Sequence, residues 1–162
     1  MQKITPFLWF DKEAEEAANY YVSIFRNSRV LKVVRYGAAG PGPEGAVMTV
    51  AFELDGQEFT ALNGGPQFRF SEAISFVVSC ATQAQIDALW GTLSAGGTAG
   101  RCGWVQDKYG LWWQLVPPIL PELLGDKDPA RAQRTMQAML GMGRLDIAAL
   151  KQAHRGAGPG SG

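Results

Sequence analysis

The side chains able to do chemistry in this chain are few, and the missing ones define it first. Its one histidine, His154, and its two cysteines, Cys80 and Cys102, make no C-x-x-C and no metal-like spacing. A thiol nucleophile needs a base beside it, and His154 is far along the chain from either thiol. Cys80 closes an apolar run and reads as a small buried hydrophobe, whereas Cys102 sits in a turn next to Gly103 and Trp104. What remains is aromatic and neutral polar. Residues two apart on a strand share a face, which groups Thr5 with Phe7 and Trp9, Thr60 with Leu62, Trp104 with Gln106, and Trp112 with Gln114 and Val116. Trp113 and Leu115 then point the other way, towards helices. Rings with a few polar anchors suit a small-molecule site. Two carboxylates invite comparison as a general base: Glu72 precedes a strand and could reach a cleft mouth, while Asp107 more naturally shapes its turn.

The elements that must position these groups come in two similar sets. The first runs strand 4–10, helix 11–25 and three strands to residue 63; the second runs strand 74–80, helix 82–94 and strands ending at 117. A shift of 69 lays Ala17, Tyr20, Tyr21 and Ile24 on Ile86, Leu89, Trp90 and Leu93, and a shift of 54 lays Gly56 on Gly110 and Thr60 on Gln114. The spacing lost between them falls in the middle of the unit, where the first copy alone has a long Gly/Pro loop, 37–45. Repeated supersecondary units bury apolar faces against each other. The expected fold is therefore α+β: two tandem βαβββ modules, about 4–64 and 73–117, forming a curved, mixed, mostly antiparallel sheet around a cleft, plus C-terminal helices.

Local grammar supports this division. Asp11 is a candidate N-cap, with Glu13, Glu15 and Glu16 in the first turns where the helix dipole favours acids. Asp55-Gly56 predicts a tight hairpin between strands 47–54 and 58–63. Thr82 caps the second helix, and strands 103–106 and 111–116 flank Asp107-Lys108-Tyr109-Gly110. Pro117, Pro118 and Pro121 stop the sheet. Asp128-Pro129 opens a helix that carries Ala132, Met136, Met139 and Leu140, and a second short helix follows near 145–153. Met136, Met139 and Met142 form a soft stripe, expected to pack internally or to close a dimer. The division is 1–118 for the two-module domain, 119–155 for the helical extension, and 156–162 for a tail flexible by composition.

At 162 residues with 15 basic and 15 acidic side chains, the chain has a formal net charge of zero and no electrostatic footprint for nucleic acid. No run approaches the roughly 20 apolar residues of a membrane helix. The N-terminus enters a strand pattern without the apolar core of a signal peptide, so a cytoplasmic location is expected.

Several phrases occur in a familiar order: Ile4-Thr5-Pro6-Phe7-Leu8-Trp9-Phe10, Ala14-Glu15-Glu16-Ala17-Ala18, Ser23-Ile24-Phe25 and Ala61-Leu62-Asn63-Gly64-Gly65-Pro66. Glu72-Ala73-Ile74-Ser75-Phe76, Cys102-Gly103-Trp104 and Trp113-Gln114-Leu115-Val116-Pro117 follow. With them the chain resembles the vicinal-oxygen-chelate superfamily of glyoxalase I and the extradiol dioxygenases, and most closely its PhnB-like branch, often labelled demethylubiquinone methyltransferase. Residues 123–150 also look like that branch's helical extension. The resemblance implies a homodimer and a cleft that takes a small molecule. In metal-dependent relatives, His, Glu or Gln ligands stand on the first and last strands of each module. The matching positions here are Gln114, Thr60, Ile4 or Thr5, and Ala73 or Ser75, a set lacking histidine and therefore not expected to hold a transition ion tightly.

With Gln114 facing the cleft, Thr5, Phe7, Trp9, Thr60, Leu62, Trp104, Gln106 and Trp112 become its expected lining. Gln114 and Glu72 are the candidate catalytic groups, with no metal and no cofactor. Gly96, Gly97 and Gly100 follow a helix, and the glycines of 37–45 lie between antiparallel strands. Neither gives the strand–G-x-G-x-x-G–helix context of an S-adenosylmethionine site. Two functions remain: an enzyme acting on a small aromatic or amphiphilic metabolite, polarised by Gln114, or a binder that sequesters a toxin or antibiotic.

Overall fold

Aspartate and glycine at 55 and 56 both adopt positive φ, 45° and 84°, the backbone that lets two strands reverse with matched twist. In the computed structural model, which describes residues 2–156, this turn joins β3 (Val47–Leu54) to β4 (Gln57–Asn63). β1 (Phe7–Phe10) pairs parallel to β4, and β2 (Arg29–Arg35) pairs antiparallel to β3, giving the order β1-β4-β3-β2. Helix α1 (Ala14–Ile24) covers one face of this sheet. Ala14, Ala17, Ala18 and Tyr21 are fully buried there against Leu8, Phe10, Val50, Phe52, Phe59 and Ala61. Three small residues on the helix allow close approach, and Phe52 stacks between Tyr21 and Phe59 at 6.2 and 5.4 Å.

Two local expectations change. The first strand begins at Phe7 rather than residue 4; Pro6 has no N–H, and only its carbonyl joins the ladder, accepting from Thr60 N at 3.0 Å. Asp11 does not cap α1. The Ala14 N–H instead donates to the Asn63 side-chain oxygen at 2.8 Å, so the cap comes from β4, forty-nine residues on. The Asn63 amide nitrogen also donates to the Val47 carbonyl, and the Tyr36 hydroxyl donates to the Asn63 carbonyl.

The second unit repeats the plan. β5 (Phe76–Ser79), α2 (Gln83–Ser94), β6 (Thr98–Ala99), β7 (Trp104–Gln106) and β8 (Trp112–Val116) form a sheet of order β5-β8-β7-β6, again with its first and last strands parallel. Thr82 caps α2 as expected, in a reciprocal capping box with Gln85. The glycine run 96–100 holds the short β6, because a Cβ at Gly97 would lie 2.1 Å from the Gln106 carbonyl and one at Gly100 2.7 Å from that of Trp104. Ile86 and Leu93 of α2 are fully buried with Val105, Trp113 and Leu115, so those last two point helix-ward as their parity requires.

Beyond β8 come α3 (Ile119–Leu124), α4 (Pro129–Leu140) and α5 (Ile147–Arg155). The proline cluster stops the sheet, yet it also opens α3: Pro118 and Pro121 fall at its start, where missing N–H groups leave no bond unmade. Leu120, Leu123, Leu145 and Leu150 make a core with Met139 and Met142 packed on it, whereas Met136 is 39% exposed. The methionines therefore divide between packing and surface. This extension packs within its own chain: the Gln83 side chain exchanges bonds with Leu145 O and Ile147 N, and Cys102 N and Gly103 N donate to Met142 O and Gly143 O at 2.8 Å.

Contacts divide the chain into two compact units, residues 1–70 and 71–162, with the extension in the second. Each module thus builds its own four-stranded mixed sheet. Of the tail, residues 157–162 lie outside the described residues. Among the described residues, no helix is long and apolar enough to cross a membrane.

Candidate functional site

Cross-strand register decides which candidate side chains meet. In the first unit Phe7 lies beside Thr60 and Trp9 beside Leu62, so these four share the face opposite α1. In the second, Gln114 stands between Val77 of β5 and Trp104 of β7, while Gln106 is paired with Trp112. Trp104, Gln106, Trp112 and Gln114 therefore share the face opposite α2. Each set of residues is assembled within its unit as the alternation predicts.

The two faces differ in how their rings are held. Trp9 donates its indole N–H to the Gly65 carbonyl at 2.9 Å and meets Phe68 edge-on at 4.9 Å. Gly64 is required beneath it, because a Cβ there would stand 2.3 Å from the indole. Phe7, by contrast, is 59% exposed. Trp104 and Trp112 lie edge-to-face at 6.4 Å, both half-buried, and among the described residues neither indole N–H has a partner. On the same face the Gln114 amide nitrogen donates to the Ser75 hydroxyl at 2.8 Å. The Gln106 amide donates to Gly110 O at 3.3 Å and braces the hairpin end.

Asp107 holds that hairpin in shape. Only 2% exposed, it accepts from Tyr109 N and Leu111 N with one oxygen and from the Trp113 indole with the other, at 2.8, 3.1 and 2.8 Å. The expected turn role holds, and the bond to Trp113 was not legible in the spacing. Glu72 is exposed in the turn that feeds β5, and Thr5 is exposed ahead of β1, its hydroxyl 3.5 Å from the Gln2 amide. Cys80 is buried, and loss of water around the thiol pushes its pKa up, which suits an inert core residue.

The positions that the family resemblance assigns to metal ligands are Ile4 or Thr5 and Thr60 in the first unit, and Ala73 or Ser75 and Gln114 in the second. The polar ones among them offer hydroxyls and one amide, and Ser75 and Gln114 are already joined to each other. Among the described residues no three His, Cys, Asp or Glu side chains cluster in a way that could hold a metal ion. This donor set does not fit a tightly held transition ion.

Paired βαβββ units with parallel outer strands and helices on one face define the vicinal-oxygen-chelate fold. Within that class, residues 2–116 match the family model described as 3-demethylubiquinone-9 3-methyltransferase, and the chain belongs to this PhnB-like family. The PhnB protein from Bacillus cereus is 39% identical over 72% of this chain and 99% of its own, with a TM-score of 0.66. The fosfomycin resistance protein FosX from Listeria monocytogenes shares the fold at 16% identity and a TM-score of 0.54, over 77% of this chain and 98% of that one. Protein PA1353 from Pseudomonas aeruginosa does so at 18% and 0.59, over 71% and 96%. Among curated proteins, none matches. The family match ends with the last residue of β8, so α3, α4 and α5 lie beyond it.

Proposed function

We propose that this chain binds a small, flat aromatic or amphiphilic metabolite on the face carrying Trp104, Trp112 and Gln114, without a tightly held metal ion. The observation that carries this reading is the pair of half-buried indoles, edge-on to each other and without an N–H partner among the described residues, on the same face as a braced amide. Rings supply area at low entropic cost, and the polar groups set orientation. Phe7, Trp9, Thr60 and Leu62 form a second, smaller lining on the first unit. The test is ligand quenching of tryptophan fluorescence together with calorimetry. Binding that disappears in Trp112→Ala and Gln114→Ala supports the reading, and binding that survives both defeats it.

Binding without turnover is the form we favour. The groups bonded around Gln114 and Gln106 are neutral, and the nearby buried carboxylate, Asp107, is occupied by two turn amides and an indole. An enzyme would need a titrating group by the ligand. Glu72 is the candidate base in that case, with Gln114 as the polarising group. A toxin- or antibiotic-sequestering role follows the binding form.

Methyl transfer, which the family description names, needs a place for S-adenosylmethionine. The glycines at 96 and 97 follow α2 and those of 37–45 separate two antiparallel strands, so neither run opens a helix after a parallel strand. The residues present do not fit that cofactor in its common mode. Calorimetry with S-adenosylmethionine tests this directly, and micromolar binding would reverse it. We further propose a cytoplasmic homodimer. Exposed Ile4, Phe7, Ile74 and Val77 on or beside the edge strands β1 and β5 support association, and a monomer by light scattering at micromolar concentration would end it.

A further inference from the structure

We infer that the Gly/Pro loop of the first unit encloses a second binding site, for a free α-amino acid with an apolar side chain. It goes beyond the ring-binding reading and does not depend on it. A two-residue turn suffices to join neighbouring antiparallel strands, yet residues 36–46 separate β2 from β3. The ends of this connection are pinned, Tyr36 N donating to Ala46 O at 2.8 Å and Gly45 N to Tyr36 O at 2.9 Å. Between them the chain lies against the Tyr36 ring: a Cβ at Gly40 would stand 2.8 Å from it and one at Gly42 2.4 Å. Compact loops with closed ends are often functional, and in the second unit residues 100–103 alone join β6 to β7. The loop borders a cavity of about 400 Å³, the size of a small-molecule pocket. Asp11 and Lys12 line it just after β1, Gly64 and Gln67 just after β4, and Pro41 and Pro43 from the loop. The parallel strands β1 and β4 thus both offer their carboxyl ends, where parallel sheets commonly bind ligands. One wall is fixed in advance, because the Asn63 side chain is bonded to Ala14 N and Val47 O and its carbonyl to the Tyr36 hydroxyl. The chain bends at 11–12, so two consecutive side chains of opposite charge line one cavity. Among the described residues neither of them, nor the Gln67 amide, has a hydrogen-bond or ion-pair partner. A simple anion suits Lys12 and is repelled by Asp11, and an amine meets the reverse. A zwitterion satisfies both, with its apolar part against Tyr36 and the two prolines.

The test is an amide NMR titration with L-phenylalanine and two analogues, phenethylamine, which lacks the carboxylate, and hydrocinnamate, which lacks the ammonium. L-Phenylalanine should shift the amides of Gly42, Gly64 and Gly65 and bind about threefold or more tighter than either analogue, the order of one exposed ion pair. Lys12→Gln should erase the advantage over phenethylamine, and Asp11→Asn the advantage over hydrocinnamate. Both side chains are exposed and Asp11 does not cap α1, so neither variant should move the unfolding midpoint. Trp112→Ala should leave L-phenylalanine binding unchanged. Unmoved loop amides, equal affinities for the three compounds, or advantages that survive both charge variants would each overturn the inference. So would binding lost in Trp112→Ala, which would put the ligand on the ring-bearing face of the second unit.

Discussion

The two modules share a strand order and differ in what each position carries. Thr60 stands between Phe7 and Ala51, whereas Gln114, its counterpart, stands between Val77 and Trp104. Two residues earlier Glu58 is paired with Glu53, and Trp112 with Gln106. The first module thus places its rings on the edge strand β1, and the second places them on the β7–β8 hairpin. A further difference lies at the hairpin ends. Leu54 closes onto Gln57 across two residues, while Asp107 closes onto Leu111 across three, with its carboxylate satisfying the amides of the wider turn. The same backbone plan therefore makes one module a self-contained aromatic wall and leaves the other with available polar groups. The repeated plan supplies the geometry, and the residue types at a handful of positions on the face opposite each helix supply the chemistry.

The sharpest way to break this comparison is Asp107→Ala. It strands two turn amides and the Trp113 indole, all buried or half-buried, and should lower stability by about 2–4 kcal/mol in denaturant titrations. A change under about 0.5 kcal/mol would mean the wide turn holds itself. Next in size, Trp112→Ala should weaken binding of 1-naphthol by tenfold or more, on the order of a buried aromatic contact, while Phe7→Ala changes it by less than about twofold. Equal losses would show that the two faces contribute alike. Helix entry gives a smaller contrast. Thr82→Ala should cost about 1 kcal/mol through its capping box, and Asp11→Ala under about 0.5, because Asn63 caps α1 instead.

The smallest effect belongs to the extension. The Asp128 backbone amide, then the His154 ring at 2.7 Å, hold the Asp126 carboxyl below its ordinary range. A depressed acid contributes its full stability above the ordinary carboxylate pKa and loses it as pH falls through the lower folded value. His154→Gln should therefore flatten the decline in unfolding midpoint on the acid side of about pH 4, and an unchanged slope would remove the histidine from the account.

Much of this was readable in one dimension. Alternation assigned Trp113 and Leu115 to the core and Gln114 with Trp112 to the other face, because the pleat has a period of two whatever lies around it. Asp55-Gly56, Thr82 and Asp128-Pro129 marked their boundaries through chemistry internal to a few residues. The α1 cap escaped for the opposite reason: Asn63 reaches Ala14 across a parallel strand pair, and no local rule sees a partner forty-nine residues away. Helix α3 escaped because prolines at a helix start and prolines ending a strand look alike.

Sequence by itself determined the family, the doubled βαβββ plan and the donor chemistry on offer, since composition, spacing and periodicity are properties of the chain. Only the tertiary structure decided that Trp9 is tied to Gly65 while the Trp104 and Trp112 N–H groups have no partner among the described residues, that Ser75 is the group bracing Gln114, and that the extension packs on Gln83 and Gly103 of its own chain. Those outcomes depend on which distant backbone and side-chain atoms arrive within about 3 Å, and hydrogen-bond geometry is satisfied or lost on that scale.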